Sequence, residues 1–204
     1  MVKNILLLGA SGTAGSEIRK SLLKNTDYQL KLFSRHANKL TIDSARERTF
    51  AADVHDRNAL NKAMNESDIV ISALSAENSD LELSRMAQEM ITSMKLNHIN
   101  RLIFMVAMGI YNEIPAEIDG KDNVKNNPNQ IHNLKAAQII ENSNLNYTLL
   151  RPGMLIDGPN TAKISQKGEP VSGFQTSLSS LADVTYKLVT NKIAGSNESL
   201  GINL

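Results

Sequence analysis

Hydrophobic residues follow two spacings along this chain, and the two alternate from one end to the other. Short continuous apolar runs are typical of buried parallel strands, whereas apolar residues at every third or fourth position are typical of helices that bury one face. Strands are predicted at Lys3–Leu8, Leu30–Ser34, Arg48–Ala51, Asp68–Leu74, Arg101–Ala107, Tyr147–Arg151 and near Ser199–Asn203. Helices are predicted at Gly15–Lys24, Arg57–Asn65, Leu81–Asn97, Asn129–Ser143 and Leu178–Asn191.

The alternation of strands and helices predicts βαβ units with right-handed crossovers. A length of 204 residues suits one domain with a substantial core. We therefore expect a single α/β domain over residues 1–204, with a Rossmann-like, doubly wound, mainly parallel sheet and helices on both faces.

Two segments, Gly109–Pro128 and Pro152–Pro170, are rich in Asn, Asp, Gly and Pro and have little periodicity. The first is predicted to be an exposed loop. Because α/β proteins place ligands at the carboxyl ends of their strands, loops 108–128 and 152–177 are predicted to form the substrate side.

The first strand runs directly into the glycines Gly9, Gly12 and Gly15. Their spacing, G-x-x-G-x-x-G, differs from the G-x-G-x-x-G dehydrogenase fingerprint, and a purely structural turn is the alternative. The strand–turn–helix setting nevertheless predicts a dinucleotide whose pyrophosphate lies on the free N–H groups of the helix start. The predicted contacts of this turn are Gly9, Ser11, Gly12, Thr13, Ala14 and Gly15.

The end of the second strand predicts which dinucleotide binds. An acidic residue about twenty positions after the glycines selects NAD, but this chain has Ser34 and Arg35 there. A guanidinium can bind a 2′-phosphate with two parallel hydrogen bonds, and Lys39 can add charge. We therefore expect NADP(H) to be preferred over NAD(H); the alternative is that Arg35 is simply solvated.

Two further strand ends supply candidate cofactor contacts. Asp53 and Val54 follow the third strand, where Asp53 can accept a hydrogen bond from the adenine amine or, alternatively, cap the next helix. The small residues Ala73, Leu74 and Ser75 end the fourth strand and leave room for a ribose.

Composition excludes several classes of function. The net charge of +1 gives no basic surface for nucleic acid, and no apolar run has the ~20 residues that a membrane span needs. The chain has no cysteine, and its four histidines lack ligand spacing, so no metal is expected. We expect a cytoplasmic protein without a signal peptide, and the oligomeric state stays open.

These residues resemble the atypical short-chain dehydrogenase/reductases, and more narrowly the NAD(P)H-binding proteins of the NmrA-like and flavin reductase/biliverdin reductase B type. The matching segments are Gly9–Gly15, Asp53, Met108–Glu113, Lys135, Tyr147–Gly153 and Ala182–Val184. The resemblance implies that Pro152 and Gly153 face the nicotinamide and that Lys135 reaches its ribose. Val106 and Ala107, at the end of the fifth strand, are included among the expected cofactor contacts.

The chain departs from its catalytic relatives at two positions. Ala107 (or Met108) stands where the catalytic members have a serine. Those members also have a general-acid tyrosine four residues before the lysine, and this chain has Ile131 at that position. His132 and Tyr111 are the candidates to replace the missing proton donor. The alternatives are that His132 caps the helix or is exposed to solvent, and that Tyr111 packs against its neighbours or forms part of a lid. Lys135 has the alternative of being a surface lysine.

Hydride transfer to a conjugated acceptor needs less from the protein, because the acceptor spreads the charge over its own π-system. We therefore expect an NADPH-dependent reductase of a flavin- or quinone-like small molecule. The alternative is a non-catalytic NADP(H)-binding redox sensor. A sugar-nucleotide epimerase is a weaker alternative, because the roughly 50 residues after Gly153 leave little room for a substrate domain.

Overall fold

The computed structural model describes residues 2–75, 82–118 and 120–204. The strands are β1 (Asn4–Leu8), β2 (Gln29–Ser34), β3 (Glu47–Ala51), β4 (Ile69–Ser72), β5 (Arg101–Met105), β6 (Asn146–Pro152), β7 (Met154–Ile156), β8 (Lys163–Ser165), β9 (Gln175–Ser177) and β10 (Glu198–Asn203). The helices are α1 (Thr13–Asn25), α2 (Arg57–Met64), α3 (Glu82–Leu96), α4 (Gln130–Glu141) and α5 (Leu178–Val189). Short 3₁₀ turns cover Ala37–Lys39 and Gly120–Asp122. The predicted start of the third helix, Leu81, lies outside the described residues.

Eight of these strands form one sheet in the order β3-β2-β1-β4-β5-β6-β10-β8. All neighbours pair in parallel except β8, which runs antiparallel to β10. The chain moves outward from β1 to β3 and then returns to place β4 on the other side of β1. This change of direction opens a crevice at the carboxyl ends of β1 and β4, where open α/β sheets bind ligands.

The sheet is buried on both faces. In β1, Leu6 and Leu8 belong to the core under α2, α3 and α4, whereas Ile5 and Leu7 belong to the core under α1 and α5. Successive side chains of a strand point to opposite faces, so a strand covered on both sides needs a continuous apolar run. The predicted doubly wound α/β fold is thereby confirmed. Within the described ranges, no helix has the length and apolar character needed to cross a membrane.

Among its described residues, the segment Gly109–Pro128 has no strand or α-helix, as expected of a loop, but it is exposed only in part. Ile110 and Ile114 are buried, and the buried side chain of Asn123 bonds both the N–H and the carbonyl oxygen of Ile114, at 3.0 and 2.7 Å. Polar side chains here replace the backbone hydrogen bonds of regular structure, so the segment packs tightly without any periodicity.

The second expected loop, 152–177, also contains regular structure. Met154–Ile156 pairs with Gln175–Ser177 as a separate two-stranded parallel sheet, and Lys163–Ser165 extends the main sheet. Each strand has only three residues, which is too short for an alternating pattern to be recognised in the sequence.

A buried ion pair joins these two irregular segments to the sheet. The guanidinium of Arg151 (side chain 0% exposed) pairs with the carboxylate of Glu113 (1% exposed) and donates through Nε to Ser199 Oγ at 3.1 Å. The other carboxylate oxygen of Glu113 accepts from the N–H of Tyr111 at 2.8 Å, and the backbone carbonyl oxygen of Glu113 accepts from the N–H of Val171 at 3.0 Å. The pair therefore holds the segment after β5 and the segment before β9 against β6 and β10.

Replacing Glu113 by Leu leaves the Arg151 guanidinium buried without its carboxylate, so we expect the free energy of unfolding to fall by about 3–5 kcal/mol. Urea denaturation measures this loss. The exposed pair between Arg57 and Glu89 provides a matched control, in which Glu89→Leu should cost at most about 1 kcal/mol. Arg151→Met combined with Glu113→Leu should recover part of the loss, since no buried charge then remains unpaired. An equal loss of unfolding free energy in Glu113→Leu and Glu89→Leu would contradict the conclusion that burial makes the Arg151–Glu113 pair important for stability.

Candidate functional site

A cleft of about 160 Å³ opens at the carboxyl ends of the strands on both sides of the crevice. It brings together predicted residues from four separate places in the chain: Gly9, Ser11, Gly12, Ser34, Arg35, Asp53, Val54, Ala73, Leu74 and Ser75. It is also lined by residues that the sequence did not single out: Phe33, His36, Ala52, Glu82 and Met86. Phe33, His36 and Ala52 are neighbours of predicted positions. Glu82 and Met86 come from the start of α3, and only the packing of that helix reveals them.

The glycine turn is shaped by close backbone contacts. Gly9 has a φ of +78°, and a Cβ there would lie 2.8 Å from the carbonyl oxygen of Ala73. A Cβ on Gly15 would overlap the carbonyl oxygen of Gly9, which also accepts from the N–H of Gly12 at 3.0 Å. Glycine is therefore required at position 9 for its backbone conformation and at position 15 because there is no space for a Cβ.

This turn leaves hydrogen-bond donors at the start of α1. Gly12 is the N-cap residue and provides no side-chain cap, and the helix begins at Thr13, two residues before its predicted start. The first N–H groups of a helix have no acceptor within the helix, and the helix dipole places positive potential there. The start of α1 therefore suits an anionic group such as a pyrophosphate.

The end of β2 adds a polar edge to the cleft. The hydroxyl of Ser34 is buried (9% exposed) and has no hydrogen-bond partner in the described structure, and it lines the cleft beside Arg35. A buried hydroxyl without a partner is unfavourable, so a ligand atom that bonds it is stabilising. Arg35 and His36 are exposed at the mouth, where their side chains can meet an incoming ligand.

Asp53 and Val54 line the same cleft after β3. One carboxylate oxygen of Asp53 accepts from the N–H of His55 at 2.9 Å. The alternative that Asp53 caps α2 is wrong, because Asp56 caps this helix by accepting from the N–H of Ala59 at 3.0 Å.

Three predicted contacts, Thr13, Ala14 and Gly15, form the first turn of α1 and do not line the cleft. Four others lie along the same edge of the sheet, at the ends of β5 and β6. The N–H of Val106 donates to the carbonyl of Leu150 at 2.9 Å, and the N–H of Met108 donates to that of Pro152 at 2.9 Å. These bonds place Val106 and Ala107 beside Pro152 and Gly153. They do not line the cleft itself. Their contact with a cofactor stays a prediction.

The structure places Lys135 elsewhere. Its side chain is exposed and lines a groove between α3 and α4, together with Gln88 and Lys95, and not the cleft. His132 is partly buried on the same helix, where its carbonyl oxygen accepts from the hydroxyl of Ser84 at 3.5 Å. The described contacts thus place both residues at the packing of α3 against α4, and their catalytic roles stay predictions.

Tyr111 lies in a charged cluster. Its hydroxyl donates to Glu141 Oε1 at 2.7 Å, and the centre of its ring lies 5.2 Å from the Arg151 guanidinium and 4.5 Å from the Lys167 ammonium. Burial, together with the neighbouring Glu141 carboxylate, raises the pKa of Tyr111. A phenol held in this way is a weaker acid, so the geometry favours the packing alternative over proton donation.

No group of three or more His, Asp or Glu side chains in the described ranges is arranged to hold a metal ion. The candidate chemistry of the cleft therefore consists of donors and small side chains that suit a phosphorylated ligand. That the protein needs no metal stays a prediction.

Comparison with known proteins agrees with this geometry. Residues 9–192 match the NAD(P)H-binding family. None of the curated proteins matches the chain.

Several solved structures share the fold. A wide-type short-chain dehydrogenase/reductase from Veillonella parvula, solved in complex with NADP, has a TM-score of 0.89 at 21% identity, covering 100% of this chain and 95% of its own. A Rossmann-fold NAD(P)-binding protein from Shigella flexneri has a TM-score of 0.80 at 28% identity, and the match covers 100% of this chain and 94% of that protein. ChuY, an anaerobillin reductase from Escherichia coli, has a TM-score of 0.79 at 20% identity, and the match covers 98% of this chain and 96% of that protein. Together with the match over residues 9–192, the geometry of the glycine turn identifies this chain as a member of the NAD(P)H-binding family.

Proposed function

We propose that this protein is an NADPH-dependent reductase of a conjugated, flavin- or quinone-like small molecule. The observation that carries the proposal is the assembly of the glycine turn, Ser34 and Arg35 in one cleft. That arrangement provides an uncapped helix start for a pyrophosphate and a guanidinium beside a hydroxyl lacking a partner. Both features suit an NADPH whose 2′-phosphate lies at the end of β2.

The cleft residues divide between the parts of such a cofactor. Asp53 and Val54 would hold the adenine, Ser34 and Arg35 the 2′-phosphate, and the turn around Gly12 the pyrophosphate. The backbone at the ends of β5 and β6 would hold the nicotinamide half. When bound, NADPH supplies the hydride. The chain contributes the orientation of the reacting groups and the exclusion of water.

The class of acceptor is inferred from what the site lacks. Ile131 and Ala107 cannot transfer a proton, and the hydroxyl of Tyr111 is committed to Glu141. Reduction of an isolated ketone needs a proton donor at the developing alkoxide, whereas a conjugated acceptor delocalises the charge and takes its proton from water. One protein of the same fold, the Escherichia coli ChuY, is an anaerobillin reductase, which is consistent with this class of reaction.

The same absence favours a second candidate. A chain that binds NADP(H) without a proton donor can act as a redox sensor, provided that it distinguishes the oxidised from the reduced cofactor. Turnover separates the two candidates.

Arg35→Glu replaces the guanidinium at the proposed 2′-phosphate position with a negative charge. We expect NADPH affinity to fall by about 1.5–3 kcal/mol, which is roughly 10- to 150-fold, with a much smaller change for NADH. Titration followed by nicotinamide fluorescence measures both affinities. Arg48 is exposed and lies outside the cleft. Arg48→Glu makes the same charge change and should leave the ratio of NADPH affinity to NADH affinity unaltered. Equal losses for both cofactors in Arg35→Glu would refute the assignment.

Lys135→Ala tests the role implied by the family resemblance. Because Lys135 lines the α3–α4 groove and not the cleft, we expect NADPH affinity within about two-fold of wild type, a change of ~0.4 kcal/mol. Fluorescence titration is again the measurement. A ten-fold weaker affinity with unchanged thermal stability would instead support the ribose contact.

Turnover is tested by adding FMN, riboflavin or a quinone to the NADPH-saturated protein and following the nicotinamide absorbance. We expect saturable NADPH oxidation with at least one acceptor, above the rate without protein, and a loss of rate in Arg35→Glu at low NADPH. Tight NADPH binding without turnover would support the sensor. An absence of NADPH binding would overturn both candidates.

A further inference from the structure

The first residue of β5, Arg101, is a partly buried arginine that has no acidic partner among the described residues. Its Nη1 donates to the carbonyl oxygens of Leu102 and Asn146 at 3.2 and 3.3 Å and to Asn146 Oδ1 at 3.4 Å. Its Nη2 donates to Thr148 Oγ1 at 2.7 Å. All of these acceptors are neutral, and in the part of the chain that the structure describes no carboxylate lies within ion-pair distance. Burial lowers the pKa of Arg101 to about 10, because desolvation penalises the charged form.

A pocket of about 380 Å³ opens next to this guanidinium. It lies at the amino-terminal edge of the sheet, where β5, β6 and β10 begin, and therefore at the opposite edge from the candidate cofactor cleft. Polar side chains of Asn146, Asn191 and Ser196 line it beside Arg101, and Glu198 is the acidic residue of its lining.

The walls of this pocket are held together by Arg101 itself. Thr148 Oγ1 accepts from Arg101 and donates to the carbonyl oxygen of Gly195, which fixes the turn between α5 and β10. A Cβ on Gly195 would overlap the side chain of Leu188, so this turn packs closely onto α5. Ser196 Oγ donates to Asn146 Oδ1 at 2.9 Å. These hydrogen bonds link the ends of β5, β6 and β10 around the pocket.

We propose that this pocket binds a small oxyanion, either a carboxylate or a phosphate group, through the guanidinium of Arg101. An arginine has five N–H donors in a planar fork, and the Nε of Arg101 makes no hydrogen bond to any described residue. Charge-assisted bonds to an anion give this partly buried cation the charged partner that the described residues do not supply. The negative charge of Glu198, which lines the same pocket, weakens this attraction.

The site is tested by titrating ¹⁵N-labelled protein with sodium acetate and, separately, with inorganic phosphate, at constant ionic strength maintained with chloride. We expect saturable shifts of the backbone amides of Ala194, Gly195 and Ser196. Phosphate bound at the glycine turn shifts the amides of Gly9–Gly15 instead, so the two sites are read separately. An absence of saturable shifts at residues 194–196 with both anions would overturn the proposal.

Two variants assign the effect to the guanidinium. Arg101→Met should weaken anion binding about ten-fold or more, since a charge-assisted bond is lost. Because this variant also loses its bonds to β6, Glu198→Gln provides a second test that leaves Arg101 in place. It should tighten binding several-fold by removing the like charge. Unchanged affinity in Glu198→Gln, or equal affinity in Arg101→Met and wild type, would contradict the assignment.

Discussion

The contact of three backbones around Gly9 determines the geometry of the candidate site. The turn after β1, the first turn of α1 and the end of β4 approach so closely that side chains at Gly9 and Gly15 would meet carbonyl oxygens. This approach aims the uncapped start of α1 at the crevice, and it places Ala73–Ser75 opposite the turn. The ends of β2 and β3 then complete the cleft, because parallel strands of one sheet end at a common edge.

The other half of the domain is organised by a charged interaction instead of a close backbone contact. The Arg151–Glu113 pair lies where two irregular segments meet the sheet, and each guanidinium nitrogen of Arg151 donates to a neighbouring oxygen. Burying two charges is costly, so such a pair contributes most through the precise placement of the segments that it joins. Those segments flank Pro152 and Gly153, the positions assigned to the nicotinamide side by the family resemblance. The fold thus combines a closely packed glycine turn with packed loops on the side where the substrate is predicted to bind.

The chemistry proposed for the site follows from both halves together. Donors for a phosphorylated cofactor are present in the cleft, whereas Ala107 and Ile131 stand in place of a catalytic serine and tyrosine, and the catalytic role of His132 stays a prediction. Tyr111, the candidate that could have replaced the missing tyrosine, is used to bridge Glu141, Arg151 and Lys167. A site of this composition suits hydride transfer to an acceptor that stabilises its own negative charge. The oxyanion pocket around Arg101 lies at the far edge of the sheet and does not depend on this chemistry.

The sequence by itself determined the doubly wound fold and most of the cleft. Continuous apolar runs such as Ile5–Leu8, bounded by glycines and alternating with helical patterns, predict strands covered on both faces. Residues that follow parallel strands meet at one edge whatever their separation in the chain. Only the tertiary structure decided the placement of Lys135, Tyr111 and Glu82. The direction of a helical side chain depends on how the helix rotates when it packs, and the partner of a loop residue comes from distant segments. The motif spacing around Lys135 therefore gave no information about the α3–α4 groove, and nothing in the local sequence of Arg101 indicated that it lacks an acidic partner.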